Sequence, residues 1–164
     1  MTIRDAKGSI LKRSKPGPYF SHFSLCPWPT STNRSYALLS VDETIWLFNF
    51  DGSVAAQYPA PDCGSLGHAH GVTAKLDPMK ADYLAVIVDF NNWNSAIFYV
   101  YDSSGSLIFK EVIRESCPAI TTLRDEKTGT DTILVGGTGK IWSYQLAGNR
   151  TLSDHNPTST STVQ

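Results

Sequence analysis

Cysteine is scarce, long apolar runs are missing, and neither charge dominates. The three cysteines, Cys26, Cys63 and Cys117, are an odd number with no Cys-x-x-Cys pair among them. That argues against a secreted disulfide framework and for reduced, packed thiols. A net charge of −1 provides no general basic surface for nucleic acid or an anionic membrane. No window approaches the ~18–20 apolar residues of a membrane span. Charges interrupt every apolar run of "MTIRDAKGSILKRSKPGPYF", so the first twenty residues do not read as a signal peptide. Without one, Asn33-Arg34-Ser35 and Asn149-Arg150-Thr151 read as chance matches to a glycosylation tripeptide, and the expected compartment is the cytoplasm. Helical spacing is missing too, because no long segment places apolar residues at i, i+3, i+4 and i+7. Gly-x-Ser-x-Gly does not occur, and no cysteine has an obvious base beside it in sequence.

What is present is a chain of 164 residues, 41% apolar and 18% charged, long enough to bury one core without metals or disulfides. It is built from short β-prone runs that repeat. "GSIL", "GSVA" and "GSLI" follow similar segments, "MTIRDAKG", "TIWLFNFDG" and "IFYVYDSSG", and "KIWSYQLAG" ends at a fourth such glycine. The glycines, Gly8, Gly52, Gly105 and Gly148, recur at intervals of roughly 43 to 53 residues. Aromatic and β-branched residues around Asp-Gly or Ser-Gly spell strand, tight turn, strand. Upstream in each unit comes a compact apolar run, "SYALLSV", "DYLAVIV" or "DTILVGG", preceded by a half-apolar one, "FSHFSL", "HGVTAKL" or "AITTL". Each full unit therefore predicts four short antiparallel strands, A to D.

Four strands at this period are the signature of a β-propeller blade. A run such as Leu84-Ala85-Val86-Ile87-Val88 fits it, since a strand covered on both faces needs no polar alternation. A β-sandwich is the structural competitor, but it does not require similar turns at a fixed period. The expected fold is all-β: propeller blades of four antiparallel strands in residues 1–150, followed by a disordered tail, 151–164, that has no apolar period.

"LGHAHGVTAKL…YLAVIV…IFYVYD" resembles a WD40 blade, with Gly67-His68 as its Gly-His dipeptide and Tyr101-Asp102 as its aromatic-Asp end. "ILVGGTGKIWSYQL" and "YALLSVDETIWLFNFDG" resemble the B–C half of such a blade, so the likeness spans about residues 36–148. No Trp-Asp dipeptide occurs. PQQ-enzyme-like and FG-GAP-like propellers share the "YDSSGSLIF" style of C–D turn, although the Asp-rich calcium loop of FG-GAP repeats is replaced by "LDPMKAD". The resemblance implies three to three and a half blades, fewer than the ~4–8 of a closed ring. A second copy, another chain or the rest of a longer propeller would then complete it. Alternatively "SILKR" would close the last blade as its outer strand, leaving three whole blades per chain and six in a homodimer.

Candidate sites follow from the same frame. His68 and His70 lie two apart and share one strand face; with His22 they form the one set of histidines able to converge as metal ligands near a channel. The plainer reading makes His68 the Gly-His histidine and His70 an ordinary polar residue of strand A. "DFNNWNSA" carries Trp93 beside Asn91 and Asn92, an aromatic-plus-amide combination suited to peptide or sugar recognition, unless Trp93 folds back over the blade. Trp28 in "CPWPTSTN" is placed on a stiff surface connection with a similar role. "GGTGK" lacks the spacing and following helix of a phosphate loop and reads as a B–C hairpin turn. Asp77, Asp82, Asp125 and Asp131 fall in A–B turns, as caps and not as an acid/base pair. The expected function is a non-catalytic interaction module without a cofactor, binding a protein partner or a second copy. A metal- or small-molecule-using propeller enzyme and a carbohydrate-binding propeller are the alternatives.

Overall fold

A strand as apolar as residues 84–88 needs cover on both faces, and it has it. In the computed structural model, which describes residues 2–13, 24–27, 35–49, 51–64, 67–90 and 93–146, every residue of this strand is buried. The strands are β1 (Thr2–Arg4), β2 (Ile10–Arg13), β3 (Ser24–Pro27), β4 (Ser35–Val41), β5 (Thr44–Phe48), β6 (Val54–Pro59) and β7 (His68–Ala74). They continue with β8 (Tyr83–Phe90), β9 (Ser95–Tyr101), β10 (Leu107–Ile113), β11 (Ala119–Asp125), β12 (Thr130–Gly136) and β13 (Ile141–Tyr144). No helix occurs among the described residues. Four sheets result, in order β1-β2, β3-β4-β5-β6, β7-β8-β9-β10 and β11-β12-β13. Each pairs only chain neighbours, all antiparallel. The repeating meander expected from the sequence is therefore present.

The two four-stranded sheets and the three-stranded one stack face to face. Leu84, Val86, Val88, Ile97, Tyr99 and Tyr101 of the middle sheet meet Cys26, Ile45, Leu47 and Cys63. On its other face Ala85, Ile87, Phe98 and Val100 meet Ile133, Val135 and Trp142. Alternate residues of one strand thus serve two separate cores, which is why the strand reads as a continuous apolar run. The sheets approach most closely at their first strands: β7 has Cα atoms within 8 Å of β3 on one side and of β11 on the other. That is nearer than the ~10 Å of ordinary sheet packing. The small residues Ala69, Gly71 and Ala74 allow it, and the Ser24 hydroxyl donates to the Ala69 carbonyl at 2.7 Å. Toward the outer strands, tyrosine hydroxyls tie the sheets: Tyr99 donates to the Pro61 carbonyl and Tyr101 to that of Pro59, each at 2.9 Å.

The glycine repeat is one turn made three times. Gly8, Gly52 and Gly105 have φ of 85°, 84° and 84°, a left-handed backbone that only glycine adopts without strain. Each donates its N–H to the carbonyl of the residue three earlier, Asp5, Asn49 or Asp102, and each is followed by a ladder with a bulge at the equivalent place. The Asp102 carboxylate accepts from Ser104 and Ser106, and the Ser104 hydroxyl leads the interactions that hold it below the usual carboxylate range.

Three expectations need correction. β2 pairs with β1 and not with β13, so among the described residues the termini do not mix to close the third sheet; β1 and β2 share the repeated turn, and that local pairing wins. Cys26 and Pro27 belong to β3, opposite Tyr36 and Ser35, instead of to a surface connection. The plainer reading, in which strand A begins at His70, is corrected as well: His68 lies inside β7, paired with Asp89, and shares one strand face with His70. The tail, 151–164, lies outside the described residues.

Candidate functional site

Antiparallel order puts the B–C and D–A connections of every sheet at one end of the stack and the A–B and C–D turns at the other. The turn end carries the carboxylates. Asp77 accepts from the Met79 N–H and Asp125 from the Lys127 N–H, both at 2.9 Å, as turn caps do. Asp131 accepts from the Lys75 N–H at 2.6 Å, tying the middle sheet to the third, and Asp82 lies 3.7 Å from Lys75. A cleft of about 420 Å³ opens at this end, lined by Lys80, Tyr83, Asp102, Ser103, Ile108 and Leu146 among others.

The opposite end gathers a different set of groups at the seam between the middle and third sheets. Strand alternation places His68, His70 and Asp89 on the face that looks toward the third sheet, together with Val72, Ala85 and Ile87. Asp89 is only 4% exposed. Its Oδ1 accepts from the Ser116 hydroxyl at 2.9 Å and from the Cys117 N–H at 2.8 Å. The 114–118 connection is thereby fixed to the end of β8, because a buried carboxylate is tolerated only when its hydrogen bonds are made. The Ser116 N–H in turn donates to Asn94 Oδ1 at 3.2 Å. Asn94 has φ +46°, a left-handed conformation that asparagine tolerates better than most residues. The Glu115 carboxylate accepts the Gly139 N–H at 2.9 Å and so holds the 137–140 turn to the same connection.

Trp93 stands on this scaffold. Its ring stacks on Phe90, centroids 5.8 Å apart and planes 12° apart, yet the residue is 67% exposed. It leans on the middle sheet without burying itself there. Asn91, Asn92, Trp28 and His22 lie outside the described residues, so of the expected recognition set Trp93 alone is placed, and of the histidines His68 and His70. No three metal-type side chains gather among the described residues.

Burial, then the neighbouring His68, pull the His70 imidazole below its usual 6.5, against an opposing pull from Asp89. A depressed histidine is neutral in the fold, so its favourable contribution is complete above pH 6.5 and is lost as pH falls from 6.5 through the folded value. Stability is expected to fall on acidification from about pH 7 to 5, and less steeply in His70→Gln. Urea midpoints across that range check this; parallel pH profiles for the two proteins would sink it. Neither Cys26 nor Cys117 is an activated thiol: burial pushes both up to about 12, far from a nucleophilic thiolate.

Asp89, Asn94, Glu115 and Ser116 escaped sequence reasoning. The signal for Asp89 was there, a single carboxylate at the end of an otherwise apolar run. Its partners come from a connection that sequence places beyond two further strands. No known family matches the chain, and a search of curated proteins finds no relative.

Proposed function

We propose that this chain is a β-propeller-type, WD40-like interaction module that binds a protein partner through the end of the stack bearing Trp93. The close approach of the first strands, the local pairing within each sheet and the repeated C–D turn support the propeller reading. One observation carries the binding reading: a large aromatic ring is two-thirds exposed while stacked on Phe90. Exposed Trp is a costly surface residue and a frequent interface anchor. Here its support, Phe90 beneath and the Asn94–Ser116 bond beside it, lowers the ordering entropy that binding would otherwise require.

A photo-crosslinking side chain at position 93 of the full chain, in a native extract, tests this. Met79, 90% exposed at the turn end, is the control position. A discrete adduct is expected from 93 and not from 79. An adduct at twice the chain mass identifies the partner as a second copy; a discrete adduct of another mass identifies a different protein. No adduct from 93, or equal adducts from both positions, overturns the reading. Against the captured partner, Trp93→Ala is expected to weaken binding about thirtyfold or more, the scale of an interface anchor. Its own folding is expected to lose only ~1 kcal/mol, that of a single aromatic stack.

A further inference from the structure

We propose that the outer face of the third sheet, turned away from the middle sheet, binds the same face of a second copy about a two-fold axis. The inner face is spent on the core, where Ile133, Val135 and Trp142 pack on the middle sheet. Strand alternation turns Thr121, Leu123, Thr132, Leu134, Ile141 and Ser143 the other way. Leu123 and Ile141 are 62% and 66% exposed, and no charged side chain stands among the six. Asp125, in register beyond Leu123, belongs to the turn, and its carboxylate is engaged by the Lys127 N–H and the Thr128 hydroxyl. The solvated face of an antiparallel sheet is normally polar, so an uncharged face with large aliphatic residues reads as a contact surface. The middle sheet, built by the same repeat, has both of its faces covered.

The pattern on the face selects the occupant. Leu123 lies opposite Thr132, Leu134 opposite both Thr121 and Ser143, and Ile141 opposite Gly136. The three aliphatic residues therefore run diagonally, one per strand, with Leu134 at the centre and small or hydroxyl side chains on both flanks. The Gln145 amide, donating to the Thr132 hydroxyl at 2.6 Å, fills the corner beside Thr132. A two-fold axis in the plane of contact, passing over Leu134 and across the diagonal, sets Leu134 against its own copy. It also sets Leu123 against Ile141 of the other copy, and Ile141 against Leu123. An isologous dimer requires this self-complementarity. Charge agrees: a face without charge does not repel its own copy, and it offers no counter-ion to an acidic or basic partner. Area sets the strength. The face presents about nine residues, against ~20–30 a side in a stable interface, so the dimer belongs to the weak, concentration-dependent class. It shares no residue with the Trp93 loop.

Sedimentation equilibrium on the full chain tests this, because it reads mass against concentration. The mean mass is expected to rise from one chain toward two between ~10 µM and ~1 mM, the range of a weak interface. Ile141→Lys and Leu134→Lys each set a charge against the other copy and are expected to raise the dissociation constant about tenfold or more. Leu11→Lys, at an equally exposed position on β2, is expected to leave it unchanged. An equimolar mixture of Leu134→Lys and Leu134→Glu chains is expected to dimerise again, since the axis brings each charge against its opposite. That recovery also establishes that both variants fold. A monomer at every concentration, a mixture that does not recover, or an equal loss in Leu11→Lys overturns the proposal. A dimer lost in Trp93→Ala and kept in Ile141→Lys overturns it too, and moves self-association to the Trp93 end.

Discussion

Phe98→Ala is expected to lower the unfolding free energy by about 3–5 kcal/mol, the range for deleting a fully buried aromatic ring. Phe98 has no exposed surface. Its ring lies 4.4 Å from that of Tyr144 and 5.9 Å from that of Phe109, so three aromatics on three strands share one cluster between the middle and third sheets. Truncation leaves a cavity walled by strands that are held in hydrogen-bonded sheets and cannot collapse into it. Against a typical domain stability of about 5–15 kcal/mol, the loss is large. Urea unfolding gives the number, and a change below about 1 kcal/mol would mean that this seam is not a packed core. Because the third sheet rests on this cluster, hydrogen exchange in β11–β13 should accelerate more than in β3–β6.

Gly105→Ala and Gly8→Ala form a matched pair with different expected costs. Both glycines occupy the same turn with nearly the same φ, +84° and +85°, so both alanines bear the left-handed penalty of about 1–2 kcal/mol. A Cβ at Gly8 meets nothing within 4 Å, whereas one at Gly105 would come within 2.1 Å of the Tyr58 ring. Tyr58 packs on Tyr101 with centroids 5.3 Å apart, so it cannot retreat without disturbing the seam between the first two stacked sheets. That overpacking adds about 1–3 kcal/mol at Gly105 alone. Equal losses for the two variants would show that the turn matters only for its own backbone. A larger loss at Gly105 shows that the turn is also a sheet-to-sheet contact.

Strand identity was legible in the sequence because it is a local property. "SYALLSV" coincides with β4, and the runs "DYLAVIV" (82–88) and "DTILVGG" (131–137) lie within two residues of their strands, since each carries its own β-branched and apolar residues between polar turns. The recurrent Gly-Ser turn was legible for the same reason: a left-handed position selects glycine whatever surrounds it. Continuous apolarity in residues 84–88 even announced cover on both faces.

The candidate site was legible only at Trp93, whose exposure on a polar loop needs no distant partner to suspect. The Asp89–Ser116 bond was hidden, because it joins residues 27 apart through the meeting of two sheets. Likewise "SILKR" has the composition of a strand in any setting, and nothing in its letters distinguishes β1 from β13 as its neighbour. Where the strands run, where they turn and that the middle ones are covered on both sides can be read from the letters alone. Backbone preference and hydrophobic patterning act over a few residues, so they leave a local trace. Which edges pair, which glycine is pressed by a ring and which carboxylate is buried emerge only once the sheets are packed, because the residues that meet there are far apart in the chain.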